Sequence, residues 1–155
     1  MIQRPQTLFL FGIIICLTLF LIFPLWLKDI DSVHYELNAF SFTQTNSLGT
    51  QAIKNVQYLA FIALVSIGLT GYIIYSFKKR MLQIKLCMFN SLLNAGLVAV
   101  TMYFIYKVDA QAGLKAGGDF YIGFFMPVLA LLCNRFAMFF IKKDEILVKS
   151  ADRLR

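Results

Sequence analysis

The chain has 155 residues, of which 59% are hydrophobic and 15% are charged, and its formal net charge is +7. Soluble domains carry about 25% charged residues, so this composition argues against a soluble domain and is typical of an integral membrane protein. The length leaves room for a single membrane domain and for no separate soluble domain.

Four apolar stretches predict transmembrane helices. Each is about 20 residues long, the length that a helix rising about 1.5 Å per residue needs to cross about 30 Å of hydrocarbon. Arg135 is the only charged residue inside them. The predicted helices cover residues 7–27, 56–77, 86–106 and 120–141. The sequence therefore predicts an all-α integral membrane protein, built as a four-transmembrane-helix bundle.

The basic residues predict how these helices are oriented. Eleven of the fifteen Lys and Arg residues group with the two termini, and the other four fall on the opposite side. Because cytoplasmic loops are enriched in Lys and Arg, both termini are predicted to be cytoplasmic. The same cations attract anionic headgroups, so we expect membrane lipids as partners and no nucleic acid.

The first apolar stretch is too long for the core of a signal peptide, and it is expected to remain as a membrane anchor. The next segment, residues 28–55, is the only long loop and is predicted to face outward. Apolar and polar residues alternate over residues 33–42, with a slip of one residue. This period of two predicts a short β-hairpin in the first outer loop.

Small and polar residues mark the second helix. Ser66, Gly68, Thr70 and Gly71 are expected to let a neighbouring helix approach closely. That neighbour would be another helix of the same chain or, alternatively, a second copy across a dimer interface.

A polar layer is predicted at one depth in the membrane. Counting about 1.5 Å per residue from the cytoplasmic basic residues places Asn94, Asn134, Arg135 and Thr70 about 10 to 13 Å deep. Asn90 is one helical turn from Asn94 and shares its face. Arg135 is expected to face the bundle interior, because a charge in lipid is costly and marks a functional site by default. The alternative is that Arg135 extends to the headgroups and is structural. The predicted layer consists of Thr70, Asn90, Asn94, Asn134 and Arg135.

The fourth helix leads into a charged tail, residues 142–155. Apolar residues form one stripe along this tail, and Glu145 precedes Lys149 by four positions. Both features predict that the helix continues as a cytoplasmic amphipathic tail. Such a tail would lie along the membrane surface or bind a cytoplasmic partner.

Three stretches resemble a family of small four-helix inner-membrane proteins of unknown function from Bacteroidota. They are the opening MIQRPQTLFL, MLQIKLC at residues 81–87, and KDE with LVKSADRLR at residues 143–145 and 147–155. The resemblance implies a location in the inner membrane of a Gram-negative cell, and it implies no activity. Most of the matching positions are cytoplasmic, which implies a shared partner-binding face. The candidate partner-binding residues are Arg4, Lys85, Lys143, Asp144, Glu145, Asp152 and Arg153.

No motif for catalysis, nucleotide binding or calcium binding occurs, and the predicted helices contain no Asp or Glu. His34 is the only histidine, so neither a metal nor another cofactor is expected. The leading hypothesis is a non-enzymatic accessory or assembly subunit that binds a membrane or cytoplasmic protein or forms a homo-oligomer. The alternative is a small channel or carrier with Arg135 in an anion-favouring layer. A third hypothesis is a lipid-binding or lipid-modifying role.

Overall fold

Four helices and a five-stranded antiparallel sheet make up the described part of the chain. The structure is a computed structural model and describes residues 5–30, 33–46, 49–77, 79–111 and 119–153. The helices are α1 (Pro5–Ile22), α2 (Gln57–Tyr75), α3 (Arg80–Gln111) and α4 (Ile122–Arg153). The strands are β1 (Trp26–Ile30), β2 (Val33–Leu37), β3 (Ser41–Asn46), β4 (Gly49–Asn55) and β5 (Asp119–Phe120).

Within these residues, three helices are long and apolar enough to cross a membrane. They are Gln57–Tyr75, Arg80–Lys107 and Ile122–Leu147. The apolar helix over Gln6–Ile22 is shorter. The outward faces of the helices carry large exposed apolar side chains such as Phe61, Leu92 and Phe139. An apolar surface of this kind is unfavourable in water and is compatible with insertion into a membrane.

The prediction of an all-α four-transmembrane-helix bundle is wrong. The segment between α1 and α2 holds four strands instead of one short hairpin, and the segment between α3 and α4 adds β5. The predicted hairpin covers β2 and the start of β3, so the missed strands are β1, β4 and β5. β4 is the longest of them, and every one of its residues is exposed. A strand that is exposed on both faces needs no alternation of apolar and polar residues. The alternation from which the hairpin was predicted is therefore not expected in β4.

Helix boundaries also differ from the predicted ones. α1 ends at Ile22, and Pro24, which has no N–H to donate, follows it. α3 and α4 each contain 32 residues, so each is about 48 Å long and exceeds the predicted residues 86–106 and 120–141. α4 continues through its charged residues to Arg153 as one helix, as the apolar stripe of the tail predicts.

The sheet lies at one end of the helices and joins three of them. Its strand order is β4-β3-β2-β1-β5, so the strand before α4 pairs with the strand after α1. β4 leads directly into α2. The N–H of Tyr121 donates to the carbonyl of Leu25 at 3.1 Å, and that of Gly123 donates to the carbonyl of Pro24 at 3.2 Å. Backbone hydrogen bonds therefore hold the end of α1 against the start of α4.

The packed half of the sheet is the part that the apolar alternation predicts. Leu37, Ala39 and Phe42 are buried there, together with Trp26 of β1. Tyr35 stacks on Phe42 with 6.1 Å between ring centroids. These side chains form a small core at the end of the helices, which a lone two-stranded hairpin would lack.

α1 and α4 form an antiparallel pair. Far from the sheet, the ring of Phe9 lies 5.4 Å from that of Phe136. Near the middle of the pair, a Cβ on Gly12 would lie 3.4 Å from the sulfur of Cys133. At the sheet end, Gly123 lies against the backbone carbonyls of Phe23 and Pro24, which follow α1. The two helices therefore contact each other over most of the length of α1.

Candidate functional site

Buried side chains of α2 and α3 form a hydrogen-bonded cluster, here called the α2–α3 cluster, of Ser66, Thr70, Asn90 and Asn94. The hydroxyl of Ser66 donates to Oδ1 of Asn90 at 2.6 Å and lies 3.3 Å from Oδ1 of Asn94. Nδ2 of Asn90 donates to Oγ1 of Thr70 at 3.0 Å. Nδ2 of Asn94 donates to the carbonyl of Asn90 at 2.9 Å, and the Thr70 hydroxyl donates to the carbonyl of Ser66 at 2.8 Å. All four side chains are fully buried.

Asn134 makes a separate set of hydrogen bonds between α3 and α4. Its Nδ2 donates to the carbonyl of Cys87 and to the hydroxyl of Ser91, both at 2.9 Å. The side chain is fully buried, and its Oδ1 has no hydrogen-bond partner among the described residues. The layer predicted as one plane is therefore two groups of contacts on two faces of α3.

Side chains at the start of α3 form hydrogen bonds with both α2 and α4. Nε2 of the buried Gln83 donates to the carbonyl of Ile73 at 2.8 Å, which joins the start of α3 to the end of α2. Nη1 of Arg80 donates to the carbonyl of Asp144 at 2.6 Å. The start of α3 is thereby bound to the charged part of α4. Neither Gln83 nor Arg80 belongs to the predicted site, although Gln83 lies in the MLQIKLC stretch of the family resemblance.

Arg135 joins neither group of contacts. Its side chain is exposed on the outer face of α4, so the expectation that it faces the interior is wrong. Each residue of an α-helix is rotated by about 100° from the one before it. Because Asn134 is turned toward α3, Arg135 is turned away from it. Arg135, Phe139 and Lys142 instead follow one exposed stripe along α4.

The candidate partner-binding residues are spread over the ends of α3 and α4. Lys85 and Lys143 are exposed, and Asp144 and Glu145 are half-buried. Arg4 lies outside the described residues, as do the side chains of Asp152 and Arg153. The described members therefore sit near the contact between Arg80 and α4, which places them at the end of the helices opposite the sheet.

Ser66 is the one member of the α2–α3 cluster that the predicted layer omits. It lies one helical turn before Thr70 on the same face, the spacing that also relates Asn90 to Asn94. That paired spacing was available in the sequence. Counting depth from the basic end missed Ser66 because the residue is one turn deeper than the layer.

The described part of the chain has three helices long and apolar enough to cross a membrane, with polar contacts buried between them. A five-stranded sheet lies at one end of these helices. The chain belongs to the family described as Domain of unknown function (DUF4293), whose model matches residues 2–154. No curated protein matches the chain. The family description assigns no activity.

Proposed function

We propose that this protein is a multi-pass protein of the bacterial inner membrane that acts as a non-enzymatic accessory or assembly subunit. Its three long apolar helices support membrane insertion. The excess of Lys and Arg around the termini supports their placement in the cytoplasm, with the sheet on the other side. The resemblance to small membrane proteins of Bacteroidota supports the inner membrane of a Gram-negative cell.

The observation that carries this proposal is the charged extension of α4. The helix continues for twelve residues beyond Ile141, which is about 18 Å. The hydrogen bond from Arg80 to Asp144 holds the start of this extension against α3. The extension also carries Ile146, which is 68% exposed. A fixed, charged helix with an exposed large apolar side chain favours a protein partner, because the partner would bury that apolar surface.

A channel or carrier has less support. The side chains of the α2–α3 cluster are fully buried and bond mainly to one another. Arg135 lies on the outer face of α4. An anion path would need these polar groups to line one water-filled space. Within a single chain they face different directions.

Co-purification tests the proposed role. We expect extraction of the full chain in a mild detergent, followed by mass spectrometry, to recover a protein partner in stoichiometric amount. Ile146→Ser should lower that recovery about tenfold, because burying an isoleucine side chain contributes about 1.5 kcal/mol or more to an interface. The substitution should leave the fold unchanged, because the side chain is largely exposed.

Ile53→Ser is the matched control. Ile53 is 51% exposed on β4, at the opposite end of the molecule, so the same atoms are removed from a comparable surface. The control should keep the partner. A monomer without partners under gentle extraction would contradict the proposal, and so would equal losses in the two variants. A reporter fused to the C-terminus and found outside the cytoplasm would contradict the proposed topology.

A further inference from the structure

A cavity of about 420 Å³ opens on the outer surface of α4. Its two ends are basic, and the surface between them is aromatic or otherwise apolar. The lining residues are Arg135, Phe136, Met138, Phe139, Phe140 and Lys142. This combination suits a molecule with a negative group and an apolar body.

The two cations are arranged along the helix. Arg135 and Lys142 are seven residues apart, which is two turns and about 10 Å along the axis, so they project from the same side. Phe139 lies between them and is 62% exposed. One side of the groove is fixed, because Phe136 and Phe140 pack against the ring of Phe9 on α1 at 5.4 and 5.5 Å. The lining of the groove comes from α4, and α1 supports two of its aromatic residues.

An anion beside Arg135 would compensate its exposed charge. Among the described residues, Arg135 makes no ion pair and no hydrogen bond. It projects from an apolar segment toward the surroundings of the helix, where an uncompensated charge is unfavourable. At about 10 Å from Lys142, its long side chain reaches toward the headgroup region of the membrane. A phosphate there would accept two parallel hydrogen bonds from the guanidinium group.

We propose that this groove binds an anionic phospholipid of the surrounding membrane. Arg135 and Lys142 contact the phosphate and the headgroup, and an acyl chain lies along Phe139. Two cations at one site favour a lipid of net negative charge over a zwitterionic one. This inference rests on the proposed membrane location and is independent of the proposed protein partner.

Native mass spectrometry of the full chain in detergent tests the lipid site. Phosphatidylglycerol and phosphatidylcholine with identical acyl chains are titrated separately. We expect phosphatidylglycerol to bind at least about fivefold more tightly, since a charged hydrogen bond to phosphate is among the stronger polar contacts. Arg135→Gln should reduce phosphatidylglycerol binding to the level of phosphatidylcholine, and Lys142→Gln should reduce it in part. Equal binding of the two lipids by the natural chain would overturn the inference.

Lys107→Gln is the charge-matched control, because it removes a cation from the sheet end of α3. It should bind phosphatidylglycerol as the natural chain does. Arg135→Gln should unfold at the same temperature as the natural chain, since the side chain bonds to no described residue. Unchanged lipid binding by Arg135→Gln would overturn the inference.

Inorganic phosphate separates a lipid site from a site for free phosphate. Millimolar phosphate should leave phosphatidylglycerol bound, and complete displacement would assign the site to free phosphate and overturn the lipid. Arg135→Gln should retain the protein partner recovered by co-purification. If that partner is recovered while the lipid result fails, only the lipid site is wrong. If the chain is found outside the membrane, both proposals fail.

Discussion

Replacing Gly123 with alanine is expected to destabilise the protein by about 1 to 3 kcal/mol, the usual range for forcing extra atoms into a packed site. A Cβ at this position would lie 2.5 Å from the carbonyl oxygen of Pro24 and 2.7 Å from that of Phe23. Both atoms belong to the backbone, so no change of rotamer can remove the overlap. The backbone itself must move, and the hydrogen bond from the Gly123 N–H to Pro24 would be strained.

The position of Gly123 makes that movement costly. Gly123 lies where the end of α1, the pairing of β1 with β5 and the start of α4 come together. A shift there separates α4 from α1 and disturbs the buried Trp26, which pairs with Phe120. Because Trp26 is the only tryptophan of the chain, its fluorescence reports directly on this junction.

Denaturant unfolding in detergent, followed by Trp26 fluorescence, measures the effect. Gly68→Ala is the control, because no atom lies within 4 Å of a Cβ built on Gly68 of α2. In a helix, alanine is favoured over glycine by up to about 1 kcal/mol, so the control should be neutral or stabilising. Equal unfolding midpoints for Gly123→Ala and Gly68→Ala would show that the close approach to Pro24 is wrong.

The helical part of the fold was largely predictable because length and hydropathy determine it. The second predicted helix, residues 56–77, differs from α2 by one residue at the start and two at the end. The sheet was not predictable in the same way. β5 contains two residues, and it exists because β1 offers it an edge, which is a relation between distant parts of the chain. A pattern in the local sequence carries no information about such a pairing.

The polar layer shows a second limit of sequence-based reasoning. Counting residues from a basic anchor gives depth along a helix, but it leaves the direction around the helix open. Thr70 and Asn90 have matching depth and facing directions, and they bond. Arg135 has a similar depth and the opposite direction. The buried faces of α4 could have supplied that direction, since Ala130, Ala137 and Ile141 lie on the side away from Arg135.

Asn90→Leu is expected to destabilise the protein by about 1 to 3 kcal/mol, because it removes two buried hydrogen bonds between α2 and α3. Asn90 accepts the hydrogen bond of Ser66 and donates to Thr70. Both partners are fully buried, so water does not replace the lost contacts. Ser66→Ala should destabilise less, by about 1 kcal/mol, because it removes one small hydroxyl. Leu92→Ala is the control on the same helix, since Leu92 is 68% exposed.

A double-mutant cycle separates the bond between Ser66 and Asn90 from the effects of each residue alone. Hydrogen bonds between membrane helices measured in this way average about 0.6 kcal/mol and reach about 1.7 kcal/mol. The short distance of 2.6 Å between Ser66 Oγ and Asn90 Oδ1 places this pair toward the upper value. The double variant should therefore lose clearly less stability than the two single variants added together. Strict additivity would mean that Ser66 and Asn90 do not bond. The hydrogen bond between Asn90 and Thr70 would then be the contact that joins α2 to α3 in the α2–α3 cluster.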